Sequence, residues 1–477
     1  MRRVLMLAYF FPPSKAAGTF RTLRFVRDLP ALGWAPSVVT VRDGTYPSIE
    51  VDPQLLHKVP AGTAIHRTAA PAYHRWYKRA IERAKAIRPS RTPAPPPVGS
   101  PAGSAAAAKT AGDSVAAGRS PLDLLYMLCR TPDIDAGWYL PALCGALRAV
   151  WREKPDVLYA TGGPWTTFLV ARDVSRLTGV PLVLDYRDPW TLNPAVVRAG
   201  SKFEDLALAL ERTVVRRARA IVANTDVLRE TLLRAHGPAL GGKTVIIHNS
   251  YDAADYATPA PAPGPVFTLS YVGAMYDAHS PEPFLQGLAA LLEREPERRG
   301  GFRVRLVGAG APRVAARVRT LGLNDTVQVQ ESVPHAEAVR LQRSSDALLL
   351  LLTVPSDHST FVPSKLYEYV AAERPIFAIT RGGALAGLLR RRNLTPWIFA
   401  PEDADAIARG LADLLDRHAQ GTVPRLDAAT VRSFSGQAAA ERLAGVFESV
   451  VSGSPLPGEL TPAAVAATRQ PVAVTVP

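Results

Sequence analysis

The stretch VLMLAYFFPPSKAAGTFRTLRFVRDLPALGWAPSVVTV (residues 4–41) sets the pattern that decides the fold. It opens with a continuous apolar run of strand length, Val4–Phe10, and continues into a loop of Pro, Ser and small residues that ends at Gly18. Apolar residues then recur at helical spacing until Gly33, and a second apolar run follows at Ser37–Val41. A uniformly apolar strand followed by an amphipathic helix is the repeating unit of a parallel sheet covered on both faces. The opening therefore predicts an α/β fold.

The same alternation of strands and helices fills two long parts of the chain. It predicts two tandem Rossmann-like domains, residues 1–255 and 266–432, joined by a short segment rich in Ala, Pro and Gly. A last amphipathic helix follows at 433–451, and we expect it to pack back toward the first domain. Ligands of open α/β sheets bind beyond the carboxyl ends of the strands, so the cleft between the domains is the expected site.

Three segments depart from this alternation. Residues 89–120 are rich in Pro and Ala and have almost no large apolar residue, which predicts a disordered insertion in the first domain. Residues 452–477 predict a disordered tail for the same reason. Just before the insertion, residues 75–88 place basic side chains around Trp76. This segment fits a basic helix on an anionic membrane and, equally, an ordinary solvated helix beside a linker.

The composition limits the partners and the compartment. A net charge of +14 favours anionic partners, but without a Cys/His finger or an RNP-like aromatic motif we expect no nucleic acid. Cys129 and Cys144 stand among apolar residues and are interpreted as core residues of a protein in a reducing compartment. With no apolar run of roughly 20 residues, the expected location is cytoplasmic, with the inner face of the plasma membrane as a possible surface of attachment.

Small residues after the first strand form a candidate anion site. The loop ending at Gly18 leads into a helix, so its backbone N–H groups and the positive helix end face any anion bound there. Arg21, one turn further on, adds a charge-assisted contact. The loop matches neither GxGxxG nor the phosphate-loop lysine motif, so a plain connector remains equally open.

A second group of polar residues follows a buried strand in the first domain. The segment LDYRDPW (residues 184–190) brings two carboxylates, an arginine and a tryptophan to the end of this strand. Arg187 could simply pair with one of the carboxylates, but the position beyond a strand favours a functional site. Gly162 and Gly163 end the preceding strand and are expected to line the same cleft. The candidates from the segment itself are Asp185, Arg187, Asp188 and Trp190.

A third candidate site lies in the second domain, in FVPSKLYEYVAA (residues 361–372). Pro363 and Ser364 form a good helix start. Lys365 and Glu368 are three residues apart and share a helix face near its N-terminus. A cation there suits a diphosphate, and a carboxylate one turn later suits two ribose hydroxyls. The spacing alone favours a surface ion pair, which is worth a few tenths of a kcal/mol.

Taken together and in this order, these segments resemble the family-4-like retaining glycosyltransferases of the GT-B fold (glycosyl transferases group 1 type). The resemblance extends from the first strand to the last helix. It rests on FFPP with Gly18 and Arg21, PDVLYATGG (155–163), PLVLDYRDPW (181–190), ERTVVRRARAIVANT (211–225), IIHNSYD (246–252), YVGA (271–274), LVGAG (306–310) and PSKLYEYVAAERPIFAI (363–379).

The resemblance implies an enzyme that takes a sugar from a nucleotide-diphosphate donor. It implies that Glu368 holds the donor ribose and that Lys365 lies at the diphosphate, while Gly18 and the Asp185–Asp188 loop approach the sugar and the acceptor. The residues predicted to be catalytic are Asp185, Asp188, Lys365 and Glu368. Neither a metal nor another cofactor is expected. The acceptor is expected to be a saccharide or a lipid-linked molecule of cell-surface polysaccharide synthesis. The remaining residues predicted at the donor are Gly273, His279, Gly308, Pro363 and Ser364.

The sequence also departs from the family pattern. The family commonly has two glutamates separated by seven residues, and the position of the first is Thr360 here. The usual Arg after the first strand of the second domain is Ala274, and the usual Lys is missing from 277–279, where His279 and the distant Lys365 are the expected substitutes. These losses keep two alternatives open: a catalytically impaired scaffold that binds sugar nucleotides, and a nucleotide-sugar epimerase of the same fold.

Overall fold

The computed structural model describes residues 1–45, 50–72, 131–191, 202–259, 261, 264–353 and 359–458. The predicted insertion at 89–120, the basic segment 75–88 with Trp76, Cys129 and all of the predicted tail after residue 458 lie outside the described residues.

The first domain is built on a parallel sheet. Within the described part of the chain this sheet has seven strands in the order β3-β2-β1-β4-β5-β6-β7. Its register is set in the middle, where Val4 of β1 pairs with Pro36 of β2 and Val157 of β4. The strands are β1 (Arg2–Ala8), β2 (Trp34–Val41), β3 (Ile65–Thr68), β4 (Val157–Gly162), β5 (Leu182–Tyr186), β6 (Ala220–Ala223) and β7 (Thr244–Ile246).

Helices cover both faces of this sheet, which explains why its strands are apolar throughout. One face packs against α2, α3, α4 and α5, and the other packs against α1. The helices are α1 (Ala17–Asp28), α2 (Tyr139–Glu153), α3 (Thr166–Thr178), α4 (Lys202–Arg217) and α5 (Asp226–His236).

The second domain repeats this architecture. Its described residues form a parallel six-stranded sheet in the order β10-β9-β8-β11-β12-β13. The strands are β8 (Phe267–Val272), β9 (Phe302–Val307), β10 (Val327–Gln330), β11 (Ala347–Leu352), β12 (Ile376–Thr380) and β13 (Ile398–Phe399). The helices are α6 (Glu282–Arg294), α7 (Ala311–Thr320), α8 (His335–Arg343), α9 (Ser364–Ala371), α10 (Gly383–Arg391), α11 (Ala404–Ala419) and α12 (Ala428–Ser433).

The last helix, α13 (Gly436–Ser452), returns to the first domain. Ser435 caps it by accepting a hydrogen bond from the Ala438 N–H. Phe447 is fully buried in the first-domain core, with its ring centroid 5.1 Å from that of Trp34. The predicted fold class is confirmed: two Rossmann-like α/β domains in tandem, with the C-terminal helix packed on the first.

Two elements of the first domain were not predicted from the sequence, the short edge strand β3 and the helix α2. Helix α2 exposes the large apolar residues Leu140 and Trp151 as well as burying others, so its apolar residues do not mark a single buried face by which to recognise a helix. The prediction that Cys144 is a core residue is wrong, because Cys144 lies exposed on α2. In the described part of the chain, no helix combines the length and the apolar character needed to cross a membrane.

Candidate active site

The candidate site lies in the gap between the carboxyl ends of the two sheets. Strand β6 leads into Thr225, whose hydroxyl donates a hydrogen bond to the Thr360 carbonyl (3.2 Å) shortly before α9 begins. Nearby, Asp255 of the connecting segment pairs with Lys58 of the first domain and with His335 at the start of α8 (2.9 Å to its Nε2). These contacts hold the strand ends of the first domain opposite α8 and α9.

Lys365 is the second residue of α9, on the second-domain side of this gap. Pro363 precedes the helix and Ser364 is its first residue, as predicted. The Lys365 side chain is half-buried and lies over the carboxyl end of β8, with Nζ 5.9 Å from the Tyr271 ring centroid. Among the described residues no carboxylate lies within ion-pair distance of Nζ, Glu368 included. The surface ion pair that the spacing left open is therefore not formed, and the site holds a cation ready for an anionic ligand.

Glu368 stands one turn further along α9 and is half-buried. Its Oε2 accepts a hydrogen bond from Gln342 Nε2 of α8 (2.9 Å), and its Oε1 accepts none from any described residue. Burial lowers the pKa of Arg24 on α1, and Glu368 is among the carboxylates that oppose this shift. Because Arg24 belongs to the first domain, this electrostatic interaction indicates that Glu368 lies near the first-domain side of the gap.

Two glycines, Gly273 and Gly308, lie beside the Lys365 side chain and the strand ends next to it. Gly273 and Gly308 directly follow β8 and β9 and have φ values of 151° and 145°, which residues with side chains rarely adopt. A Cβ on Gly273 would lie 1.9 Å from the Lys365 Cε, and a Cβ on Gly308 would lie 1.8 Å from the Gly273 carbonyl oxygen. Helix α7 begins at Ala311, three residues after Gly308, so its N-terminal end lies near the end of β9. His279 lies beside the end of β11 and donates from Nδ1 to the Leu351 carbonyl (2.9 Å).

Arg187 belongs to the first-domain side of the gap. Its Nε donates to the Gly162 carbonyl (3.0 Å) and its Nη2 donates to the Gly163 carbonyl, which leaves Nη1 without a partner among the described residues. Nη1 points at Gly18, where an added Cβ would come within 2.0 Å of it. The structure therefore brings together three separate segments predicted at the acceptor or phosphate side.

We expect Gly18→Ala to displace the Arg187 guanidinium, because the new methyl group would occupy its place. The fold should survive, since the clashing atoms are the far end of a flexible side chain and the position is helical with ordinary φ. Any activity that depends on Arg187 should fall in Gly18→Ala to the level measured for Arg187→Ala, with the thermal midpoint nearly unchanged. Full activity of Gly18→Ala would contradict this role of the contact.

Two predicted site residues belong instead to a buried ion pair. Asp185 is fully buried and accepts hydrogen bonds from Arg21 Nη2 (2.8 Å), Tyr159 (2.6 Å) and Thr161 (2.9 Å). Arg21 is itself buried and also donates to the Ile247 carbonyl (2.9 Å). Burial raises the pKa of the Asp185 carboxyl, but the charge and hydrogen bonds of Arg21 outweigh this and hold the pKa below its ordinary value. Asp185 and Arg21 thus position the strand ends, and the predicted direct contacts of both with a ligand are wrong for this structure.

Comparison with known proteins agrees with this architecture. Residues 101–250 match the family described as "Glycosyl transferase 4-like domain", and residues 266–417 match "Glycosyl transferases group 1". Together the two matches span more than half of the chain. The chain belongs to the GT-B glycosyltransferases. The family resemblance predicted from the sequence is thereby confirmed.

Curated relatives of this glycosyltransferase chain carry one name. The D-inositol 3-phosphate glycosyltransferase of Kineococcus radiotolerans is 29% identical over 228 residues, which are 44% of this chain and 51% of that protein. This match thus spans about half the length of the relative. The D-inositol 3-phosphate glycosyltransferase of Streptomyces avermitilis is 26% identical over 354 residues, 67% of this chain and 74% of that protein.

Two solved structures share the fold of this chain at low sequence identity. Anabaena HepE in complex with UDP superposes with a TM-score of 0.59 and 14% identity, covering 94% of this chain and 100% of that one. Sucrose-phosphate synthase from Thermosynechococcus elongatus gives a TM-score of 0.56 and 15% identity, covering 95% of this chain and 100% of that one.

The family departures predicted from the sequence have clear places in this glycosyltransferase. Thr360, at the position of the missing first glutamate, offers its backbone carbonyl to Thr225 across the gap. Ala274 follows Gly273, and its carbonyl accepts a hydrogen bond from the Tyr271 hydroxyl (2.6 Å).

The other two candidates from the LDYRDPW segment, Asp188 and Trp190, differ in their exposure to solvent. Asp188 has an exposed surface, while partial burial of its carboxyl raises its pKa and the charge of Arg187 opposes the shift. It remains a candidate for contact with a ligand. Trp190 is fully buried and stacks on Trp165, with ring centroids 5.7 Å apart and an interplanar angle of 6°. The prediction that Trp190 lines the ligand site is wrong, because the ring belongs to the core beneath it.

Asp133 was missed in the sequence. Its carboxylate accepts hydrogen bonds from the Thr166 N–H and hydroxyl (2.8 Å each), at the start of α3. Burial raises the pKa of Asp133 to about 6, with Asp135 acting in the same direction and the Thr166 hydrogen bonds opposing. The only available signal was the pattern Asp-Ile-Asp before a helix, which resembles any helix cap. Asp133 fixes the start of α3, which follows Gly163, and so helps to hold the Gly162 and Gly163 carbonyls that accept hydrogen bonds from Arg187.

No group of three His, Cys, Asp or Glu side chains that could share a metal occurs in the described residues. The expectation that transfer requires no metal or other cofactor stays a prediction.

Proposed function

We propose that this chain transfers a sugar from a nucleoside diphosphate donor to a hydroxyl of an acceptor, with retention of the anomeric configuration. The second domain binds the donor, with Glu368 at the ribose and Lys365 at the diphosphate. The first domain binds the acceptor at Gly18, Arg187 and Asp188. Family membership supports the reaction class, and the arrangement of the gap supports these assignments.

One observation carries the proposal: a half-buried lysine that has no counter-ion among the described residues stands one turn before a glutamate, and one carboxylate oxygen of that glutamate has no donor among the same residues. A half-buried charge is costly unless a partner neutralises it. A diphosphate supplies that partner, and a ribose hydroxyl supplies the donor that Glu368 Oε1 lacks. Gly273 and Gly308 let the diphosphate approach the backbone, as ligands do at glycine-rich strand ends.

In the proposed mechanism, the bond between the anomeric carbon and the diphosphate oxygen breaks while the acceptor oxygen bonds to the same face of that carbon. The acceptor proton passes to the departing phosphate oxygen. Lys365 and the N-terminus of α7 stabilise the negative charge that develops on the leaving group. Closure of the two domains excludes water and so limits donor hydrolysis.

The acceptor to test first is an inositol phosphate, because the curated relatives are named for D-inositol 3-phosphate. The free Nη1 of Arg187 is suited to a phosphate of such an acceptor. A saccharide or lipid-linked precursor of cell-surface polysaccharide, the acceptor expected from the sequence, is the second choice.

A scaffold that binds sugar nucleotides without transferring them is the other candidate. The observation that favours it is the pair Thr360 and Ala274, which lack the carboxylate and the guanidinium expected at these positions. Transfer of labelled sugar by the pure protein would exclude it. Conversion of the donor to its epimer without any acceptor would instead indicate the epimerase.

The test of donor binding is a thermal-shift and calorimetric screen of nucleoside diphosphates, because a ligand raises stability by RT ln(1 + [L]/Kd). We expect Lys365→Ala to weaken nucleoside diphosphate binding about 10- to 100-fold, since a charge-assisted contact is worth roughly 1.5–3 kcal/mol. Binding of the matching nucleoside should not change, because it lacks the phosphates. Arg319→Ala, which removes an exposed cation from α7, is the control. Equal loss of both ligands in Lys365→Ala, or of neither, would contradict the assignment.

A further inference from the structure

The outer face of α2 carries an exposed apolar stripe that the core does not use. Leu140 is 62% exposed and Trp151 is 81% exposed, and Cys144 and the partly buried Leu147 lie between them. Residues spaced by four, three and four positions stand on one face of a helix. Large apolar side chains normally avoid water, so a stripe of this length points to a binding surface.

The opposite face of α2 already supplies the domain core. Ala142, Ala146 and Ala149 are fully buried against the sheet. Their small side chains bring the helix backbone close to the strands, while the larger Leu140 and Trp151 point outward. The helix thus places its bulkiest apolar side chains in water, the reverse of what folding requires of a surface helix.

Basic residues border the stripe. Arg148 and Arg152 are exposed on α2, and Arg176 is exposed at the end of the neighbouring α3, next to Leu177 (68% exposed). The one acidic residue of α2, Glu153, is turned away and bonds His66 (2.5 Å). The surface is therefore apolar and cationic, without an acidic side chain on the helix to repel an anion.

We propose that this face of α2 docks on the surface of an anionic lipid bilayer. Leucine and tryptophan side chains insert among the headgroups, while flanking arginines bind lipid phosphates, which is the pattern of a helix that lies in a membrane interface. Charge complementarity favours this occupant over an apolar protein groove, because arginines beside the stripe need anionic partners. This surface is distinct from residues 75–88, for which the sequence raised a similar expectation.

The orientation of α2 connects this surface to the candidate site. The N-terminal end of α2 follows Asp133, which bonds Thr166 beside the seat of Arg187. A bilayer in contact with α2 would therefore lie beside the acceptor side of the gap. The docking itself does not depend on sugar transfer, and vesicle binding measures it without any substrate.

The experiment is flotation of the full chain with vesicles of phosphatidylcholine containing phosphatidylglycerol, compared with phosphatidylcholine alone. We expect binding to the anionic vesicles only. Arg148→Glu/Arg152→Glu should reduce this binding at least about 10-fold, since each basic residue near such a surface contributes on the order of 1 kcal/mol. Leu140→Ser/Trp151→Ser should also reduce it at least about 10-fold, because it removes the apolar side chains that insert among the headgroups. Arg319→Glu/Arg409→Glu, which makes the same charge change on exposed residues of the second domain, is the control.

Tryptophan fluorescence gives a readout that does not require loss of binding. Among the described residues, the tryptophans other than Trp151 are at most 4% exposed. Brominated lipids should therefore quench wild-type emission more than the emission of Trp151→Phe, which keeps an aromatic ring. Equal quenching of the two proteins, or unchanged flotation of both double variants, would overturn the proposal. So would a dimer in solution that Leu140→Ser/Trp151→Ser dissociates without any vesicle binding by the wild type, because the occupant would then be a second copy.

Discussion

Glu368→Ala should lower kcat/KM for sugar transfer by about 100-fold or more, with the donor KM raised. The carboxylate is proposed to accept hydrogen bonds from ribose hydroxyls, and hydrogen bonds to a charged group are worth roughly 1.5–3 kcal/mol each. Every 1.36 kcal/mol lost in the transition state is about a factor of ten in rate. The variant also leaves the Gln342 Nε2 group without its acceptor.

The ligand pattern of Glu368→Ala distinguishes it from Lys365→Ala. A ribose contact is common to the nucleoside and the nucleoside diphosphate, so Glu368→Ala should weaken the binding of both to a similar extent. Glu368→Gln keeps an acceptor oxygen without the charge and should give an intermediate loss. Glu293→Ala, which removes an exposed glutamate from α6, is the control. Unchanged kinetics in Glu368→Ala would remove the donor site from this gap.

Asp185→Ala should destabilise the protein by about 3–5 kcal/mol, because it leaves the buried guanidinium of Arg21 without its counter-charge. The carboxylate makes three kinds of contact, to Arg21, Tyr159 and Thr161, and none of them is exposed to solvent. For a domain of this size, each kcal/mol lowers the thermal midpoint by roughly 2–4 °C. We therefore expect a fall of about 6–20 °C in the midpoint of the first domain.

Two further variants separate a structural role of Asp185 from a catalytic one. Asp188→Ala removes the exposed carboxylate of the same loop, so it should leave the thermal midpoint nearly unchanged while it tests contact with the acceptor. The double variant Arg21→Met/Asp185→Leu should recover part of the lost stability, because an apolar pair can replace a buried ion pair. If Asp185→Ala loses activity without any loss of stability, then the original prediction of a catalytic carboxylate was right.

The ion pair of Arg21 and Asp185 also makes the stability of the folded protein depend on pH. The folded-state pKa of Asp185 is depressed, so this group contributes stability above its unfolded pKa, about 3.9. That contribution is lost as the pH falls through the depressed folded pKa. The ion pair is therefore intact across the neutral range in which transfer would be assayed.

Asp185 and Arg187 show which features of the site could not be predicted from the sequence. Both lie in LDYRDPW, two residues apart, and nothing local distinguishes a buried group from one in the gap. The partner of Asp185 is Arg21, 164 residues away along the chain, and the carbonyls that hold Arg187 are about 25 residues away. Pairings at such distances form only when the strands are assembled, so the segment predicted the position of a site but not which side chains face it.

Helix α9 is the opposite case. Its start at Pro363 and Ser364, and the shared face of Lys365 and Glu368, follow from turn chemistry and helical spacing within six residues. The order of apolar strands and amphipathic helices likewise follows from local periodicity, which is why both parallel sheets were predictable. Two other features are not local: the absence of a counter-ion at Lys365 within the part of the chain that the structure describes, and the burial of Trp190. Each depends on which groups the assembled domains bring within a few ångströms, and electrostatic and packing energies are set at that range.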